Sequence, residues 1–499
     1  MILNVMFMAP TAIWVYGVWA SVVYPGVHLP MTAILAMLIS IPVGLFYALY
    51  SAVMPRTGGD YVWVSRTLHP AIGFMNSFFL FMVLLSVAGA YIPWFTQYAL
   101  APIFMALGKP GIAQFVSTNE FTFIMAAIYY IFTAIVVSRG SKATSIVLWI
   151  FFASVFIGLL VATGVALTTT PEQFAQAFAQ KTGVSYNEIL ERAVENGFPN
   201  RFLMSATLMG LAFTYINFLG FNSSIYVGGE LKDVKKGQIY AIVGAIILFG
   251  FIDWLAYQIV YSSMGGLFLG ALSYLWIIED PIYENLNMPF GPFFHFLFQY
   301  ITNVSIYVFI VAAWSMMVLG AILTYIAITV RLVFAWSFDR VFPTKFAKVD
   351  ARTGSPYVAL IFVTIVAIIC QILWIWTPLL EYFAYIVFGW MIMQSITAIS
   401  GIILPYTKKE LFEAAPEISK KKIANIPVIV VLGIITILLS IWIGYASMSP
   451  AMIGKIDPAI LAFTFGLFGL GLLIYFISWL YHRKVGIPLE LSFKEIPPL

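Results

Sequence analysis

Charge is what this 499-residue chain has least of. Lys, Arg, Asp and Glu together make up 9%, against about 25% in an ordinary soluble domain. A chain that is 62% hydrophobic, with mean hydropathy +0.97, cannot hide that surface in one water-soluble core and belongs in a lipid bilayer. The single cysteine, Cys370, excludes a disulfide framework or a cysteine metal site and reads as packing. The histidines, His28, His69, His295 and His482, lie on separate segments without metal-ligand spacing. That argues against a membrane enzyme, a bound metal or a cofactor. No ring of charges or filter-like repeat suggests a channel.

What is present is a series of long apolar runs. Twelve are long enough to span a bilayer, at about 3 to 24, 31 to 54, 71 to 105, 121 to 138, 145 to 168, 202 to 228, 238 to 263, 300 to 334, 356 to 376, 380 to 404, 426 to 447 and 458 to 481. The even count puts both termini on one side. No Lys or Arg precedes the first run, so it reads as a retained span rather than a signal peptide. If the loop holding Arg56 and Arg66 is cytoplasmic, 20 of the 25 basic residues fall inside. Lys109, Lys181, Arg192, Arg201 and Lys455 fall outside, three of them in one longer loop. The expectation is a multi-pass cell-membrane protein with cytoplasmic termini. The net charge of +4 reflects these loops and not a nucleic-acid patch.

The chain reads as one transmembrane domain over 1–499, with no soluble domain boundary. The long outside segment, Thr168 to Arg201, contains SYNEILERAVENG, where Ser185 and Glu188 have capping-box spacing and Gly197 is placed as a stop. It reads first as a connector. On the opposite side, Pro55, Gly58 and Gly59 supply turn geometry between the second and third runs. The aromatic and charged stretch Val330 to Asp350 suits short helices at the headgroup level.

Two runs are interrupted. The first has Ala9, Pro10 and Thr11 inside it, and the sixth has Asn217, Gly220 and Asn222. In a bilayer, backbone polar groups are freed only where protein or a water-filled cavity can satisfy them, so a break is a candidate site. Breaks at spans one and six occupy the same position in two successive groups of five. An inverted five-helix repeat would give that relation, with half-helix ends facing a ligand near the midplane. Half-helix N-termini favour an anion, and an α-carboxylate fits. The competing reading is a pair of simple kinks, as expected for Pro42 and Pro93.

At these residues the sequence resembles the amino acid, polyamine and organocation (APC) superfamily, specifically its amino acid permeases. MPRTGGDYVWVSRTLHPAIGF is similar to that family's second-to-third-span loop, with Pro55, Arg56, Gly58, Gly59, Asp60 and Tyr61 in place. In the sixth span Gly220, Phe221, Glu230, Lys232 and Lys236 match by position. After the eighth, Arg331, Phe338, Asp339 and Pro343 do, while Arg340 stands where glycine is usual. The ending RKVGIPLELSFKEIPPL is also similar to the tail of many members. The resemblance covers essentially the whole chain. It implies an all-α membrane protein of about twelve helices with broken first and sixth helices (the LeuT-like APC fold). The five-plus-five inverted repeats would fall at about 1–168 and 202–404, two added helices at about 426–481 and a cytoplasmic tail at 482–499. It further implies alternating access around a site between spans one, three, six, eight and ten.

Three departures stand out. The family's first-span Gly-x-Gly element is replaced by Met8 to Ala12. The sixth-span acid after Gly-Phe is Asn222. The polar lead before span one is missing, which leaves open a start codon upstream or a short first helix.

The expected mechanism is secondary transport of an amino acid. Its carboxylate would meet backbone at Ala9, Pro10 and Thr11, and its amino group the carbonyls near Asn217 and Gly220. Phe218, Phe221 and Asn222 are candidate contacts and Tyr215 a candidate gate, each also readable as helix packing. Asp253, mid-run in span seven, is the proton-coupling candidate, because an acid at that depth costs about 2.5 to 3.5 kcal/mol. Its competing reading is an aspartate hydrogen-bonded to a neighbouring helix or to water. Span five holds no basic residue, so a lysine standing in for sodium is not available. Ser315 and Thr324 are the sodium-ligand candidates, ranked below protons or exchange because such hydroxyls usually bond their own helix. The absence of a carboxylate near the breaks favours a neutral, apolar amino acid. Alternatives are a non-transporting amino acid sensor on the same fold, or a transporter of a polyamine or another organic cation held over an aromatic face.

Overall fold

The computed structural model describes residues 1–230, 234–286, 288, 291–378, 382, 386–448 and 457–493. Lys232, Lys455, Lys494 and the last residues of the tail motif lie outside the described residues, as do the side chains of Lys235 and Lys236.

Among the described residues the regular structure is helical, apart from a two-stranded hairpin at Lys422–Ile423 and Ile426–Pro427. Eleven helices among the described residues are long and apolar enough to cross a membrane, and a twelfth span is assembled from two pieces, Ile2–Phe7 and Ile13–Val23. The protein is therefore a multi-pass membrane protein of about twelve spans. Spans two to five are Leu29–Val53, Pro70–Ala106, Asn119–Ser138 and Ser141–Leu167. The sixth is Met204–Phe218 followed by short turns of 3-10 helix at Ser223–Tyr226 and Gly228–Glu230. The later spans are 237–277, 304–338, 357–376, 386–407, 428–447 and 458–485.

The third span ends where its apolar run did, whereas the seventh runs on to Ile277, well past about 263. The third span continues past Pro93 through a π-helical turn at Thr96–Leu100, and the seventh through one at Tyr261–Gly265. A π-turn absorbs an extra residue without ending the helix, so hydropathy alone does not mark where the span stops. The eighth span is a single helix, Val304–Phe338, that carries Arg331 within its last two turns.

Between spans five and six, Tyr186–Glu195 forms with the Ser185/Glu188 capping box closed in both directions, and Gly197 adopts φ 99° just beyond its end. A second helix, Pro171–Thr182, precedes it with its own capping box from Thr170 and Gln173. Phe174 and Phe178 of that helix pack on Phe268 of span seven, so the segment is bound to the bundle rather than free above it.

The core is the set of helices that meet at the two breaks. Spans two and seven lie along each other, span eight packs on spans three and five, and both halves of the first span touch span seven. Spans four and five turn rows of isoleucine and tryptophan outward, among them Ile124, Ile128, Trp149 and Ile150, as a lipid-facing surface requires.

Candidate substrate site

The first span breaks because its backbone passes twice into the left-handed region. Ala9 (φ 55°) and Thr11 (φ 71°) flank Pro10, which has no N–H to continue a helix. The helical ladder lapses there: Ala9 N–H bonds back only to Met6, Ala12 to Ala9 and Trp14 to Thr11. The sixth span breaks at Gly220 (φ 96°), with Leu219 bonded to Ile216 and Phe221 to Phe218 in the same shortened spacing. A side chain at Gly220 would run into the Phe7 ring.

Polar side chains from neighbouring helices hold both breaks. Trp314 Nε1 donates to the Thr11 carbonyl (3.1 Å) and Tyr325 Oη to the Phe7 carbonyl (3.3 Å), both from span eight. Trp14 Nε1 donates to Ala256 O of span seven at 2.8 Å. Asn4 bridges the two breaks: its Oδ1 accepts from the Ser224 amide (2.6 Å) while Nδ2 donates to Ala241 O (3.0 Å).

Asp253 is buried where the breaks approach each other. Its Oδ2 accepts from Asn217 Nδ2 at 3.4 Å, its buried Oδ1 has no hydrogen-bond partner among the described residues, and the Thr11 backbone lies beside the same carboxylate. A mid-membrane acid thus lies against one residue from each interrupted span, so the expectation of no carboxylate near the breaks does not hold: span seven folds its mid-run acid onto them. No cation approaches it among the described residues.

Beside this contact lies a cavity of about 80 Å³, lined from spans one, three, six, eight and ten. Its walls include Phe7, Tyr91, Asn217, Tyr325 and Trp390, with Val83, Leu84 and Val87 along span three. Phe7 meets Tyr325 edge-on at 4.7 Å and Trp390 at 6.1 Å. No charged side chain lines it.

The expected site residues are distributed unevenly around this cavity. Asn217 lines it; Ala9, Pro10, Thr11 and Gly220 form the breaks beside it. Phe218 packs against Phe249 (5.1 Å) and Phe221 against Tyr47 (6.0 Å), each filling an interhelical gap. Asn222 precedes the 3-10 turn of the sixth span, and Tyr215 is fully buried with its hydroxyl facing Gln394 of span ten. Ser315 and Thr324 donate to Ala312 O and Gly320 O of their own helix. Nine residues put them about 13 Å apart along the axis, so they do not converge on one ion. Sequence reasoning missed Phe7, Tyr91, Tyr325 and Trp390. Aromatic residues in uniformly apolar helices carry no signal that separates a cavity wall from packing.

On the side bearing the basic loops, residues noted separately in the sequence meet in pairs. Arg66 makes a bidentate ion pair with Asp339 (2.6 Å to each oxygen), both buried. Arg331 pairs with Glu230 at 3.0 Å, and Ser141 also bonds Glu230. Burial works to raise the Glu230 carboxyl, but the Arg331 charge and the two hydrogen bonds hold it below its usual range. Asp60 accepts from Tyr226 (3.0 Å) and Thr397 (3.4 Å), with Gly58 N–H bonded to Tyr226 O. Burial pushes the Asp60 carboxyl up to about 6 despite those bonds. The Pro-Arg-x-Gly-Gly-Asp loop therefore cradles the short half of the sixth span.

A family model described as amino acid permease matches residues 1–471. The chain is similar to the glutamate/serine transporter AimA of Bacillus subtilis (strain 168), 22% identical over 396 residues that cover 78% of this chain and 65% of that protein. It is also similar to the branched-chain amino acid permease BcaP of Lactococcus lactis subsp. cremoris (strain MG1363), 22% identical over 341 residues, 66% of this chain and 65% of that one. The chain spans about 65% of the length of these curated relatives.

Proposed function

The chain belongs to the amino acid permease family, a family of transporters rather than enzymes, and from that premise we propose that it is a secondary active transporter of a neutral, apolar amino acid. The observation that carries this reading is the uncharged, aromatic-walled cavity between the broken first and sixth spans. The similarity to a branched-chain amino acid permease agrees with it. A glutamate-type substrate would bring a side-chain carboxylate that finds no cation in that lining.

In the proposed mechanism the substrate carboxylate meets backbone around Ala9 to Thr11, and the ammonium meets carbonyls around Asn217 to Gly220. The apolar side chain points at Trp390, Tyr91 and Tyr325. A charged Asp253 competes with the substrate carboxylate for the Thr11 amide and repels it, whereas a protonated Asp253 is the weaker acceptor and carries no charge. One proton would then accompany one substrate. Spans one to five and six to ten act as the inverted repeats, about 1–168 and 202–404, and rock about the cavity. The basic loops are cytoplasmic and the protein sits in the cell membrane, both termini inside.

The test is uptake of a panel of radiolabelled amino acids into proteoliposomes, with and without an imposed pH gradient, on wild type and Asp253→Asn. Saturable uptake of branched-chain or aromatic amino acids that a gradient accelerates, with Asp253→Asn losing the acceleration, is the expected result. Gradient-driven uptake that Asp253→Asn leaves unchanged removes Asp253 from the coupling, and preferential uptake of glutamate overturns the substrate reading.

A further inference from the structure

A second cavity, larger than the central one, opens at the basic-side end of the bundle. It occupies about 900 Å³ between the turn that follows span eight and the end of the last span. Its walls divide by chemistry. Ile474, Ile477 and Val485 form an apolar side on the last helix, continuous with the outward-facing Leu473, Phe476 and Leu480 of that helix. Arg340 and Lys345 stand on the other side with Phe342 and Pro343 between them, and His482 joins them from the last helix. No acid lines it; Asp339, adjacent to Arg340 in the chain, is consumed by Arg66.

Arg340 is the informative residue. It adopts φ 63°, the left-handed conformation that favours glycine, at the position where the resemblance led us to expect glycine. Its backbone carbonyl accepts from Ser478 of the last helix (3.4 Å), which closes the groove, while its exposed guanidinium makes no hydrogen bond or ion pair among the described residues. Local geometry therefore disfavours an arginine here, and nothing among the described residues uses its charge. Lys345 is likewise exposed, with only the Phe346 ring beside it (5.6 Å).

We propose that this groove is a binding site for one anionic phospholipid, whose phosphate is held by Arg340 and Lys345 and whose acyl chain lies along Ile474 and Ile477 of the last span. Charge complementarity selects the occupant: a basic rim without acids, at the depth where a membrane-spanning helix ends, over an apolar wall that faces lipid already. Tyr481, 63% exposed beside it, is the amphipathic ring expected at the headgroup level. The site is separate from the transport reading, since it lies at the bundle's edge and shares no residue with the central cavity.

Native mass spectrometry of the full chain in detergent, titrated with phosphatidylglycerol or phosphatidylcholine, tests it on wild type, Arg340→Gly, Lys345→Gln and the double variant. Arg340→Gly removes the charge and relieves the backbone at once, so it should fold as well as wild type. The expected result is preferential retention of phosphatidylglycerol and about a fivefold weaker affinity for each cation removed. Inorganic phosphate should not displace the lipid. Equal retention of both lipids, unchanged affinity in the double variant, or displacement by phosphate alone would each overturn the proposal.

Discussion

The two helix breaks occupy matching places in the fold but are made in different ways. In the sixth span the left-handed residue is Gly220, which adopts φ 96° without a side-chain clash. In the first span the left-handed residues are Ala9 and Thr11, for each of which that conformation costs about 1–2 kcal/mol. The first break is strained and held from outside by Trp314 and Tyr325 of span eight. The sixth is unstrained and is fixed by shape, because the Phe7 ring occupies the space that a side chain at Gly220 would need. Both breaks have hydrogen bonds from other spans, worth about 1 kcal/mol each, but only the sixth also depends on an absence of atoms at its left-handed residue. An element fixed by hydrogen bonds can let go one bond at a time, whereas one fixed by shape fails all at once.

The largest effect should therefore come from filling that space. Gly220→Leu adds both overpacking and left-handed strain, together about 4 kcal/mol, and should lower the unfolding midpoint in detergent sharply and abolish uptake. Gly220→Ala should fall between wild type and Gly220→Leu. Adding Phe7→Ala to Gly220→Ala should recover the steric part and leave the backbone part. A Gly220→Leu protein as stable as wild type would mean that the sixth-span break is not set by shape.

The next effect concerns how the short half of the sixth span is anchored. Asp60 is buried, bonded to Tyr226 of that half, with its carboxyl pushed up to about 6 by burial. The groups facing it are the hydroxyls of Tyr226 and Thr397, with Tyr47 and Tyr50 near. Its folded value lies above the unfolded one of about 3.9, so folding takes up a proton between them. The contribution is fully present below about pH 4 and is lost as pH rises through 6, a swing of up to about 3 kcal/mol. Unfolding midpoints measured from pH 4 to 8 should show that fall in wild type and a flatter profile in Asp60→Asn. Parallel profiles would release Asp60 from the role.

The same contrast explains what the sequence made legible. Proline and glycine inside apolar runs announced where the chain breaks, because those residues act on the backbone they occupy. The number and approximate position of the spans followed from hydropathy, since the bilayer imposes a minimum apolar length on every crossing helix. Pairings such as Arg66 with Asp339, 273 residues apart, were visible only as separate loop charges. The cavity wall was less legible still: Tyr91, Tyr325 and Trp390 sit in helices apolar on every face, where hydropathy cannot tell a lipid-facing ring from one facing its neighbours. That Ala9 and Thr11, flanking Pro10, would carry the left-handed turns had no local signal, because neither residue prefers that conformation.

The smallest effect is the one that bears most directly on the first break. If its strain is real, Ala9→Gly should relieve left-handed crowding and lose only a methyl group, against the added freedom of glycine in the unfolded chain. The balance is a gain of about 0.5 to 1 kcal/mol, a small upward shift of the midpoint, where glycine inside an ordinary helix would cost about the same amount. Ala20→Gly, inside the helical half Ile13–Val23, supplies the comparison within the same span. A stabilising Ala9→Gly beside a destabilising Ala20→Gly would locate the strain at residue 9. Two destabilising substitutions would mean that the first break, like the sixth, is held without stored strain.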